Sequence, residues 1–284
     1  MEIWFPAYRR HDQARIGTND AIMALVASSR LAEKTLVEVQ DESALVPLIF
    51  PGVPDLERMN RTVKDTRRLI SEAEREFVYM AIPYLLSVHH VYVVSCLDLV
   101  RNQAEDDQTD VESTRLEVVH TQFTEVSGQQ LPDDLVSLFH LLRLMRNRIV
   151  HYAAAQGSHL RAAWRDLPES AAGGWTKVAG RPLPLGRSAE RLDLGLGELL
   201  ASLMTVTRLG REVCAAVGRS ISRERWADLV LADYRELYPH RFGQQATRLR
   251  RTFRYAQERY GPIALTEGDM GAALNRGDAT KPGS

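Results

Sequence analysis

Apolar residues recur at helical spacing along most of this chain, most regularly in LVSLFHLLRLMRNRIVHY, residues 135–152. Leu135, Leu138, Leu142, Met145 and Ile149 form one stripe there. At about 100° per residue, His140, Arg143, Asn147 and His151 group on the opposite side, with Arg146 at its edge. Pro132 at the first helical position, with Asp133 and Asp134 in the first turn, predicts where this helix starts. A second segment, Phe77 to Leu97, runs 21 residues without Lys, Arg, Asp or Glu. Its length suits a membrane span. Its central His89 and His90, the preceding Pro83 and the lack of a second such segment favour a helix buried in a bundle.

The remaining pattern fills in around these two. Residues 1–17 read as an arm, followed by a helix from Asp20 to Val39 with Thr18 or Asn19 as its cap. Three prolines and a glycine in PLIFPGVP, residues 47–54, break it. Helix resumes near Leu56. The capping-box spacing of Ser71 and Glu74 predicts a break near Ile70, and Pro83 a kink, before the run ends at Arg101. Residues 102–113 are acidic and apolar-poor, which predicts a solvated loop. Thr114 and Glu117 form another capping box, opening a short helix to Val126. Glycines and prolines between 156 and 190 predict an irregular loop with a small hairpin around TKVAGRPLPL. Helices follow at 196–217, 223–238 and 244–260, and a polar tail from Glu267 reads as disordered. The expected fold is all-α, a helical bundle. Its expected parts are an arm and helix at 1–54, the bundle at 55–218, helices at 219–266 and the tail at 267–284.

Composition changes this picture little. Hydrophobic content of 44% and charged content of 26% describe an ordinary globular chain. A net charge of −1 excludes a whole-surface nucleic-acid binder and leaves room for a local basic patch. Cys96 and Cys214 stand far apart inside apolar patterns, so they read as buried thiols in a reducing compartment. MEIWFPAYRR lacks the basic and apolar regions of a signal peptide, so a cytoplasmic protein is expected.

The polar side of residues 135–152 carries candidate chemistry. Cleaving RNA without a metal requires removing the 2′-hydroxyl proton, protonating the leaving 5′-oxygen and neutralising the phosphorane. An imidazole titrating near neutrality is a natural proton carrier, and a guanidinium binds phosphate as a charged fork. Asn147 and His151, four apart, are neighbours on a helix surface. One histidine cannot easily act as base and acid in a single step, whereas two copies of His151 across a two-fold axis supply both.

Arg146, Asn147 and then His151 five after the Arg, near the end of a bundle helix, resemble the HEPN superfamily motif. That motif is Arg, four to six residues, then His, often with a polar residue directly after the Arg. The resemblance covers residues 70–218. It implies an all-α bundle of HEPN type and a homodimer whose cleft holds a metal-independent endoribonuclease site. Arg146 and His151 then map to the catalytic pair and Asn147 to its polar partner, with no cofactor and no metal. Family members often serve as defence or toxin effectors restrained by an antitoxin or regulatory protein, and some have lost catalysis. A departure is visible too. Relatives of two-component toxins carry Tyr two positions after the His, whereas here Tyr152 follows at once and position 153 is Ala.

Arg143, Arg148 and His140 are supporting candidates for RNA contact. Arg250, Arg251 and Arg254 join them from a basic helix interleaved with Phe253 and Tyr255. Such a helix also suits docking on its own bundle, the favoured reading. His89 and His90 point about 100° apart, so burial and hydrogen bonding suit them better than a shared metal. Walker spacing and the Gly-x-Ser-x-Gly elbow are absent, against nucleotide hydrolysis and esterase chemistry. The alternative to an active nuclease is a silent HEPN-like module that binds RNA or a partner protein.

Overall fold

The computed structural model describes residues 2–101, 114–151, 156–185, 192–241 and 245–279. Among them the fold is all-α, and a lone β-bridge between Leu45 and Thr62 is the only extended pairing. The helices are α1 (Pro6–Val37), the short α2 (Val46–Ile49), α3 (Val63–Arg101), α4 (Val119–Ser127), α5 (Asp133–His151), α6 (Gln156–Arg165), α7 (Glu169–Ala179), α8 (Leu196–Ser220), α9 (Arg223–Leu237), α10 (Gln245–Arg259) and α11 (Glu267–Ala279). They divide into two compact units. The first comprises Met1–Ala14, Ser87–His140 and Thr205–Ser284, and the second Arg15–Leu86 and Leu141–Met204.

An aromatic core holds the first unit together. Phe5 packs against Tyr8, Tyr92 and Trp226, with ring centroids 5.9–6.4 Å apart. Aromatic side chains bury large apolar areas, and offset or edge contacts add to that. Helices α9, α10 and α11 pack on one another. Met270, Ala273 and Leu274 of α11 are buried, and Arg276 and Asp269 form ion pairs with Asp228 and Arg223, each at 2.8 Å. The stretch from Glu267 to Ala279 is therefore a docked helix, not a disordered tail.

In the second unit, Leu36, Val46 and Val63 form a cluster joined by Ile49, Phe50 and Ile70. Arg67 closes the end of α1 by donating to the Leu36 and Val39 carbonyls, and pairs with Glu42 at 2.8 Å. A helix leaves its last carbonyls without partners, and a cation there also meets the negative end of the dipole. Further along, Arg181 forks onto Glu198, whose side chain is almost wholly buried, and the Gly195 amide bonds the same carboxylate. Gly197 is required by close approach. A Cβ there would stand 2.2 Å from the Ala179 carbonyl oxygen.

Several expectations from the sequence are corrected. Helix α1 begins at Pro6, not near Asp20, so residues 6–17 are helical and Thr18 and Asn19 lie inside the helix. Helix α3 runs unbroken past Ser71, whose hydroxyl donates to the Arg68 carbonyl instead of capping. Helix α4 starts at Val119, and its cap position, Val118, makes no side-chain cap. Helix α5 starts at Asp133, one residue past Pro132, whose carbonyl accepts from the Leu135 and Val136 amides. The expected loop and hairpin at 156–190 contains two helices, α6 and α7, and no strand among the described residues. The acidic stretch 102–113 lies outside the described residues. Among the described residues one helix, α3, is long and apolar enough to cross a membrane, with mean hydropathy 1.5 in its most apolar stretch, half of which is buried.

Candidate functional site

Helix α5 carries the sequence motif. Its apolar stripe is buried at Leu135, Leu138, Leu142 and Met145, and Phe139 and Leu141 widen the covered side. The polar side is less open than the sequence pattern implies. Leu144 falls about 40° from His140 on that side, yet it is only 7% exposed. Neighbouring structure therefore covers the middle of the polar face. It separates exposed His140 from the last two turns, where Arg146, Asn147 and Arg148 are half-buried.

In those turns, Arg146 Nη1 donates to Asn147 Oδ1 at 3.1 Å. Two of the three expected catalytic residues are thus brought into direct contact. His151 is the last residue of α5, and its side chain lies outside the described residues, as does Tyr152. Arg143 is half-buried one turn before the pair. On α10, Arg250, Arg251 and Arg254 are exposed, and Arg254 pairs with Glu258 at 2.8 Å. The opposite face of α10 is buried through Thr252, Tyr255 and Ala256, so this basic helix does dock on its own unit.

The first unit holds two buried polar clusters, of which the sequence reading anticipated only the burial and hydrogen bonding of His89 and His90. Asp233 on α9 takes both forks of Arg9, at 2.6 and 2.8 Å, and accepts the Tyr255 and Tyr260 hydroxyls at 2.7 and 2.5 Å. Burial alone would raise this carboxyl, but hydrogen bonds from Arg9, Tyr260 and Tyr255 together hold it below its usual range. Removing one partner of such a pair costs about 3–5 kcal/mol, because the other charge stays buried. Arg9 and Asp233 are 224 positions apart, and no local pattern announces them.

The second cluster is built on histidines. His89 and His120 meet Nε2 to Nε2 at 3.0 Å, His11 stacks on Tyr92 at 4.4 Å, and Phe139 covers His89 and His120. His90 Nε2 donates to the Thr114 carbonyl at 2.8 Å. Burial and hydrogen bonding thus hold for both adjacent histidines, though His90 is only half-buried. In the His89–His120 bond one ring donates and the other accepts, so the two are not both imidazoliums. Burial first, and the neighbouring histidines second, push His89 well down, and His120 is pushed down to about 3. Among the described residues, no three His, Cys, Asp or Glu side chains converge as metal ligands would.

Cys96 and Cys214 are buried free thiols. Burial raises both, Cys214 to about 12, which makes them poor nucleophiles. No family model, no curated protein and no solved structure matches this chain.

Proposed function

We propose that this protein is a metal-independent endoribonuclease of HEPN type, working as a cytoplasmic homodimer. The observation that carries the reading is the Arg146–Asn147 contact on the last turns of α5, one turn before His151. The buried apolar face of that helix holds the pair rigidly, and a preorganised pair acts on charge as it develops. In the proposed reaction the 2′-oxygen attacks phosphorus and loses its proton to one His151. The P–O5′ bond breaks, and the leaving oxygen takes a proton from the second copy. Arg146 neutralises the phosphorane, and Asn147 orients the guanidinium. The products are a 2′,3′-cyclic phosphate and a 5′-hydroxyl. A role as a defence or toxin effector held by an antitoxin belongs to the same proposal.

Purified protein is expected to cleave single-stranded RNA in EDTA and leave 2′,3′-cyclic ends. His151→Ala and Arg146→Ala are each expected to reduce the rate at least 100-fold, the scale of acid–base and electrostatic contributions, with unchanged circular dichroism. Equal cleavage by wild type and His151→Ala protein sinks the proposal. The exposed arginines of α10 favour a second reading, a module that binds RNA or an acidic partner without turnover. It predicts salt-sensitive binding lost on replacing Arg250, Arg251 and Arg254, and indifferent to His151→Ala.

A further inference from the structure

A cavity of about 290 Å³ opens between residues 7–14 of α1 and 87–95 of α3, within the first unit. Small-ligand pockets begin at roughly this size and are mostly apolar with a few placed polar groups. We propose that it is a binding site for a small planar aromatic anion, independent of the RNA reading.

Three features select that ligand. The first is a flat aromatic surface. Tyr92 and His11 stack at 4.4 Å with 24° between their planes, and both line the cavity. The Tyr92 hydroxyl donates to the Gly210 carbonyl at 3.2 Å, which satisfies its polar end within the protein. The second is the seat made for His11, which is 4% exposed. A Cβ on Gly210 would stand 2.6 Å from its Cε1. A glycine inside a helix such as α8 costs about 1 kcal/mol relative to alanine, and here it admits the imidazole. The third is charge. Arg10 lines the cavity, is exposed, and has no ion-pair partner among the described residues. None of the described lining residues is acidic. Ala14, Val88 and Val91 supply apolar walls. Stacking surface, apolar walls and one cation at the opening match an aryl carboxylate.

The test titrates 2-naphthoate, and separately the neutral 2-naphthylmethanol, into the full chain labelled for NMR. Saturable shifts of the His11 ring and the Ala14 amide are expected with both probes. Arg10→Gln should weaken 2-naphthoate about threefold, the scale of an exposed ion pair, and leave the alcohol unchanged. Ser87→Leu, at an exposed lining position, should fill the space and abolish both. No saturable shift overturns the site. Binding unchanged in Ser87→Leu overturns its location, and equal effects of Arg10→Gln on the two probes overturn the preference for an anion.

Discussion

The buried imidazoles make stability depend on pH through two side chains. Both are neutral in the folded protein, with pKa values below the usual 6.5. Above that value neither folded nor unfolded chains bind these protons, so the His89–His120 bond contributes fully. Below it the unfolded chain takes up protons that the folded one excludes, and stability falls as pH falls. The slope is about 1.4 kcal/mol per pH unit for each imidazole, continuing toward about 3 for His120. Urea midpoints measured at pH 7 and pH 5 are expected to show this loss. His120→Gln should flatten it by about half. Midpoints that stay level between those values, in wild type, would show that the pair does not control acid stability. Asp233 adds a second loss at lower pH. Its carboxyl lies below the ordinary range, so its contribution is present above about 3.8 and lost as the group is protonated.

Among the elements, helices with one continuous apolar stripe were legible, and those whose pattern is interrupted by weak helix formers or apparent caps were not. Helices α5, α8, α9 and α10 follow the sequence pattern to within a few residues, because a continuous apolar stripe is itself the cause of their packing. Helix α1 hid its first three turns behind Gly17, Thr18 and Asn19, all weak helix formers. Burial of Phe5, Tyr8 and His11 before them, and of Ile22 and Val26 after, overrides that propensity. Helix α7 contains Gly173 and Gly174 and reads as loop, yet Ala171 and Trp175 are buried and hold it. Its signals were present in Glu169 of the first turn and in Gly180, which ends it at φ 77°. In the motif helix, the stripe was legible but the covering of Leu144 was not, since it depends on what packs there. For α11, the burial of Met270 and Leu274 predicts a dependence on that element. Ending the chain at Thr266 should cost about 4 kcal/mol, from roughly 1.5–3 kcal/mol per buried side chain, read by urea denaturation. An unchanged midpoint would mean that α11 adds nothing to the fold.

At the scale of the whole molecule, helices α1, α3, α5 and α8 each contribute residues to both units. No unit is therefore a contiguous length of chain, and a single cooperative transition is expected. The two thiols report it. Buried Cys96 and Cys214 should resist a disulfide reagent in buffer, and both should react in guanidinium. Their exposure should follow the same curve as loss of far-ultraviolet circular dichroism. Thiols that react well before helix is lost would show the first unit opening on its own.

The contacts of Ile3 to Arg9 also bear on how the chain is made. The Trp4 amide donates to the Arg259 carbonyl at 2.8 Å, the Ile3 carbonyl accepts from Cys214, and Arg9 grips Asp233. A ribosome adding about 5–20 residues per second delivers Asp233, 224 positions after Arg9, roughly 10–45 s later. Throughout that interval Phe5 and Tyr8 can meet Tyr92 of α3, but Phe5 lacks Trp226 and Arg9 lacks Asp233, both on α9. The first unit must complete itself after most of the chain has been synthesised, so its earliest hydrophobic residues are the ones that chaperones have longest to bind.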